Sequence, residues 1–71
     1  MNHDYKLILS ARIKEHVESN FRIQNDAAIL VGMSRSHFND MIKGRVTGIG
    51  AKKFAKACEV FGLEYKDVLP C

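Results

Sequence analysis

The chain has 71 residues, 46% of them hydrophobic and 27% charged, with a formal net charge of +3. A domain this short buries only about 60% of the surface its unfolded chain exposes, so residues 1–71 are expected to form a single domain around one core. No run of about 18 apolar residues offers a membrane span, and Ser10 and Arg12 interrupt the first apolar run, so no signal peptide is expected and the expected location is cytoplasmic.

Apolar spacing is helical throughout, and no stretch alternates with period two for long enough to make a strand. Asp4 is placed to cap a first helix that runs to about Ser19. Tyr5, Leu9, Ile13 and Val17, with Ile8 beside them, form its expected buried stripe. Asn20, Phe21 and Arg22 lead to a short second helix, Gln24 to about Val31, that buries Ala27, Ala28 and Val31. Gly32 ends it in the left-handed conformation that glycine adopts without strain. Ser34 caps a third helix to about Lys43, stopped by Gly44. Arg45 to Gly50 is a loop, with Thr47 the expected cap of a fourth helix. That helix reaches Phe61 and is expected to bury Ala51, Phe54, Ala55, Cys58 and Phe61. Gly62 closes it, and Glu64 to Leu69 is expected to add a final turn or two, with Tyr65, Val68 and Leu69 packing back. The expected class is all-α, with five short helices.

Cys58 lies within an apolar helical pattern, where a thiol acts as a small hydrophobe, and Cys71 is the last residue and expected to be exposed. Two cysteines make no disulfide scaffold, and His3, His16 and His37 are too scattered for the four convergent ligands of zinc. No metal and no cofactor is expected. No paired carboxylates and no Ser-His or Cys-His arrangement stand at catalytic spacing, so no catalytic residue is assigned and an enzyme is not expected.

Charge is unevenly spread. Residues 33–56 hold six bases (Arg35, Lys43, Arg45, Lys52, Lys53 and Lys56) against Asp40 alone, between a neutral first part and an acidic end. A polyanion-binding face has this distribution, and so does a solvated lysine-rich helix.

Gly32-Met33-Ser34 joins the second and third helices in about three residues. So short a turn makes the two axes cross closely, with Ala27 and Ala28 as the small residues at the crossing and Met33 as an apolar plug, which specifies a helix-turn-helix. The run QNDAAILVGMSRSHFNDMIKG, residues 24–44, resembles without a gap the helix-turn-helix of the Cro and lambda-repressor (Xre-type) family. Gln24, Ala28, Gly32, Phe38 and Met41 stand at positions typical of that family, and Phe61 to Leu69 is similar to its closing helix. The size is also similar to that of a phage Cro-like protein. Three positions depart from the pattern. Ile23 stands where the family has a capping Ser or Thr, and Ile29 and Leu30 stand where it has polar residues. Ile42 replaces an acid that pairs with an arginine of the first helix, so Arg12 needs another partner.

The resemblance implies a five-helix lambda-repressor-like fold that binds double-stranded DNA with its third helix in the major groove. Base contacts then fall to Arg35, Ser36 and Asn39 or Asp40, with Arg35 open to a phosphate instead. Asp40 must accept from a cytosine amine or pair with Lys43. Phosphate contacts fall to Gln24, Lys43, Arg45, Thr47 and, on the fourth helix, Lys52 or Lys53. His37 reads as a surface or edge residue. A single short helix makes few base contacts, so a homodimer on a palindromic operator is expected, paired through Phe61, Leu63, Tyr65 and Val68. The leading expectation is a transcriptional regulator acting as a Cro-like repressor, with no membrane or small-molecule partner. The competing one is a protein-interaction module of antitoxin or adaptor type that keeps the fold without binding DNA. Ile29, Leu30 and Asp40 lean toward that reading.

Overall fold

The computed structural model describes residues 4–68, which form four helices and no strand: α1 (Asp4–Asn20), α2 (Gln24–Val31), α3 (Arg35–Ile42) and α4 (Ala51–Phe61). The capping expected of Asp4, the packing of Leu69 and the exposure of Cys71 concern side chains outside the described ones. None of these helices is long and apolar enough to cross a membrane.

Leu9, Ile13 and Val17 of α1 are buried, as their spacing predicts, and Tyr5 packs half-buried at the same edge. Ile8 does not join the stripe: it is 45% exposed, and Lys6 and Ser10 are buried on the other flank. The Ser10 hydroxyl donates to the carbonyl of Met41 in the last turn of α3. The last four carbonyls of a helix lack intrahelical donors, so a polar α1 flank serves this site better than isoleucine.

The α2–α3 connection forms as local chemistry dictates. Gly32 adopts φ +80°, and its N–H reaches the carbonyls of Ala28 (3.0 Å) and Ile29 (3.1 Å). Met33 donates to the Ala28 carbonyl at 3.0 Å and buries its side chain. Ser34 then caps α3, its Oγ accepting from the N–H of His37 at 3.2 Å. Ala27 and Ala28 are buried, so α2 approaches its neighbours on its smallest side chains. Phe38, Met41 and Ile42 carry α3 into the core.

The loop before α4 is more than a spacer. Val46 and Ile49 are both buried, and the Ile49 N–H bonds the Val46 carbonyl at 3.0 Å. These two anchors tie the chain to the core through Ile49, so α4 starts only after it. Gly50, not Thr47, is the N-cap, and Thr47 is exposed. Along α4 the buried residues are Phe54, Ala57 and Cys58, while Ala51, Ala55 and Phe61 are half-buried. The stripe is thus narrower than expected and includes Ala57.

Gly62 closes α4 at φ +71°, and the Leu63 N–H returns to the Cys58 carbonyl at 2.8 Å. No fifth helix follows within the described residues. In a helix the Glu64 carbonyl would accept from the N–H of Val68. Here Arg12 Nη1 takes that carbonyl at 2.9 Å, and Val68 donates to Tyr65 at 3.0 Å in a single turn. Arg12 also pairs with Asp67 at 3.3 Å, so it draws its partners from the closing segment and not from α3.

Candidate nucleic-acid interface

Helical periodicity turns Ser36, Asn39, Asp40 and Lys43 away from the buried side of α3, with Arg35 at its first turn. Arg35, Ser36 and Lys43 are exposed, and Asn39, Asp40 and His37 are half-buried. Gln24, at the start of α2, donates from Nε2 to Oδ1 of Asn39 at 3.1 Å. This bond orients the Asn39 amide and leaves its own N–H donors for another acceptor. Gln24, Arg35, Ser36 and Asn39 line one cleft of about 680 Å³ together with Ile23 and Asn25. Asn25 was not among the expected contacts. Its place beside Gln24 in the first turn of α2 was the available signal.

Asp40 has a different partner from the one expected. Gly44 turns the chain at φ +85°, so the Arg45 N–H reaches the Asp40 carbonyl at 2.9 Å. The Arg45 guanidinium then lies 3.5 Å from the Asp40 carboxylate, and Lys43 is left outside the pair. Helical spacing favours Lys43, but the reversal at Gly44 brings Arg45 back across the end of α3.

Lys43, Thr47, Lys52 and Lys53 are exposed along the end of α3, the loop and the first turn of α4. Among the described residues no side-chain polar contact joins these four to one another or to the cleft, although the Lys43 N–H donates to the Asn39 carbonyl at 3.1 Å as the helix ends. The cleft and the Asp40–Arg45 pair are therefore the two places where the candidate residues meet.

The residues assigned to pairing between copies all pack half-buried against this chain's own core. Phe61 stacks on His16 at a centroid distance of 4.9 Å and lies 5.7 Å from Phe21 and 6.4 Å from Phe38. Leu63, Tyr65 and Val68 pack half-buried against the core beside it. Among the described residues the most exposed large apolar side chains lie elsewhere, with Ile29 at 66% and Leu30 at 58% on α2 and Ile23 at 60% just before it.

The Cys58 thiol is buried, which pushes its pKa up to about 11 against the weaker opposing effect of Arg12, so it is no nucleophile near neutrality. A hydrogen bond from Arg12 is the main cause holding the Asp67 carboxyl below its ordinary range. Among the described residues no three His, Cys, Asp or Glu side chains gather as metal ligands would. Compared with protein-family models, with curated proteins and with solved structures, the chain matches none.

Proposed function

We propose that this chain is a sequence-reading DNA-binding regulator, in which α2, Gly32–Ser34 and α3 form a helix-turn-helix of the Cro and lambda-repressor kind. The carrying observation is the Gln24–Asn39 hydrogen bond. It couples the start of α2 to the exposed face of α3, so a residue suited to phosphate and a residue suited to base edges are held in one register. Arg35, Ser36 and Asn39 are the base readers, with Arg35 suited to the O6/N7 edge of guanine. Ile23 supplies no side-chain cap and its carbonyl takes the Asp26 N–H at 3.1 Å, so the N–H groups of Gln24 and Asn25 remain the donors for a phosphate at the start of α2. Lys43, Thr47, Lys52 and Lys53 stand on the opposite side of α3 from Gln24 along the chain and complete the backbone contacts. Binding as a homodimer to a palindromic operator gives the affinity that one short helix lacks, and occupancy of a promoter gives repression.

Selection of random duplexes on the purified protein, at two salt concentrations, tests this. Recovery of a palindromic consensus is the expected result. Absence of retention even at low salt overturns the proposal.

A second reading is a protein-interaction module with no DNA target. The exposure of Ile29 and Leu30 on α2 favours it, because the nearest charge on that helix is the lone Asp26. Pull-down with Ile29→Ser/Leu30→Ser as the control distinguishes the two, since that variant retains a DNA-binding face and loses an α2 partner.

A further inference from the structure

Among the residues assigned to DNA contact one is an acid, Asp40, and it is held against one of the bases, Arg45. The backbone makes this arrangement before any ligand arrives: the Gly44 reversal seats the Arg45 N–H on the Asp40 carbonyl, and the side chains meet above it at 3.5 Å. The Arg45 side chain is otherwise 70% exposed, which leaves it free to swing to a phosphate. Asp40 lies on the same α3 face as Ser36, Asn39 and Lys43, toward the groove a DNA-binding helix would occupy.

We propose that Asp40 is an internal competitor for Arg45, and that the pair sets discrimination between specific and non-specific DNA. This rests on the DNA-binding reading and adds a mechanism to it. On non-specific DNA the gain is almost all electrostatic, through neutralised phosphates and released counterions. Arg45 contributes there only by leaving Asp40, and the carboxylate left behind repels the same backbone. At a specific site Asp40 faces a cytosine amine, a donor that compensates the carboxylate when Arg45 departs. The acid therefore weakens binding everywhere except where the right base meets it. An exposed pair of this kind is worth little to folding, so the cost of its presence is felt in DNA affinity and not in stability.

Titration of a random-sequence duplex of about 20 base pairs, long enough for two half-sites one turn apart, tests the idea across a salt series. Asp40→Asn is expected to bind this duplex about 3- to 10-fold more tightly at low salt, with the slope of log K against log salt steeper by about 0.9 for one added phosphate. The ratio of operator to random affinity, on the duplex recovered by selection, is expected to fall. In an Arg45→Ala background, Asp40→Asn is expected to change affinity and slope much less, because only the carboxylate's own repulsion of the backbone is then removed. Glu59→Gln adds the same net charge from the last turn of α4 and serves as the charge control. Equal tightening by Glu59→Gln, or a full Asp40→Asn effect without Arg45, overturns the pair as the cause. A wild-type protein that retains neither duplex at low salt overturns the DNA reading itself, and that outcome is distinct from the other two.

Discussion

Gln24 and Asn39 lie on different helices, fifteen positions apart, and are joined side chain to side chain at 3.1 Å. One end of the bond is a residue at the start of α2, and the other is at the centre of the exposed α3 face. Such a part-buried bond contributes about 0.5–1.5 kcal/mol when both partners are satisfied. Its larger consequence is orientation: an asparagine free to rotate has several ways to meet a base edge, and this one has few.

Gln24→Ala is therefore expected to weaken operator binding by about 1 kcal/mol, and random-duplex binding by less. The Asn39→Ala background checks this, because the Gln24 effect on specificity should vanish there. Full additivity of the two substitutions would falsify the coupling.

Gly32 carries the turn, and its cost of replacement comes from the backbone alone. It sits at φ +80°, with no atom within 4 Å of where a Cβ would stand. Gly32→Ala is expected to destabilise the fold by about 1–2 kcal/mol, the penalty of the left-handed region for a residue with a Cβ. Gly32→Asn is expected to cost less, because asparagine visits that region more readily. Urea unfolding of the three proteins measures the order, and an equal loss for Ala and Asn would mean that the left-handed preference of the residue does not set the cost.

The parts of this fold that were legible in advance are those decided within a few residues. Gly32 and Ser34 announce the turn because a left-handed glycine and a hydroxyl cap are local devices, and Phe38, Met41 and Ile42 announce the buried side of α3 by spacing alone. The misplacements all involve a distant partner. Which flank of α1 is buried depends on the Met41 carbonyl needing the Ser10 hydroxyl, which Ile8 cannot supply. Val46 and Ile49 have no helical period to reveal them, and their burial moves the start of α4 past Thr47. Within the described residues the expected fifth helix is replaced by a single turn, where Arg12, fifty-two residues away, takes the Glu64 carbonyl. At the candidate site, the α3 face followed from periodicity, but the partner of Asp40 required the φ of Gly44.

Arg12 and Asp67 make stability depend on acidity at the closing segment. Asp67 has its folded pKa depressed, mainly by the hydrogen bond from Arg12, so the protonated form favours the unfolded chain. The contribution is present above the ordinary value of 3.8 and fades as pH falls through the lower folded value. Thermal unfolding at pH 7 and at pH 3 is expected to show a larger drop for the wild type than for Asp67→Asn. The difference should shrink at high salt, because the pair is exposed and screened. A salt-independent difference would assign the effect to packing.

Cys58 supplies the opposite sign. Its thiol is buried among apolar neighbours of α4, and burial raises its pKa from 9.0 to about 11. Folding thus favours the neutral thiol, and its contribution is complete below pH 9 and is lost as pH rises toward 11. In a Cys71→Ser background, which leaves one thiol to count, alkylation at pH 8 is expected to be slow and to accelerate with urea in step with unfolding. Fast labelling of the native protein would place the thiol within reach of solvent.

Under the proposed function, Arg35 decides whether the cleft beside α2 reads bases or only holds a backbone. It is exposed at the first turn of α3, where its length reaches past the helix end, and it shares the cleft with Gln24, Ser36 and Asn39. A bidentate arginine–guanine contact is worth about 1–3 kcal/mol of discrimination against the wrong base. Arg35→Ala is expected to lower operator affinity by that amount and to relax the preference at a single position of the selected consensus. Random-duplex affinity should change little. Parallel titrations of the operator, of operators altered one base pair at a time, and of the random duplex separate the roles. An equal loss on every duplex, with a salt slope shallower by about one, would make Arg35 a phosphate contact. Base reading would then rest on Ser36, Asn39 and Asp40, and the guanine assigned to Arg35 would drop out of the consensus.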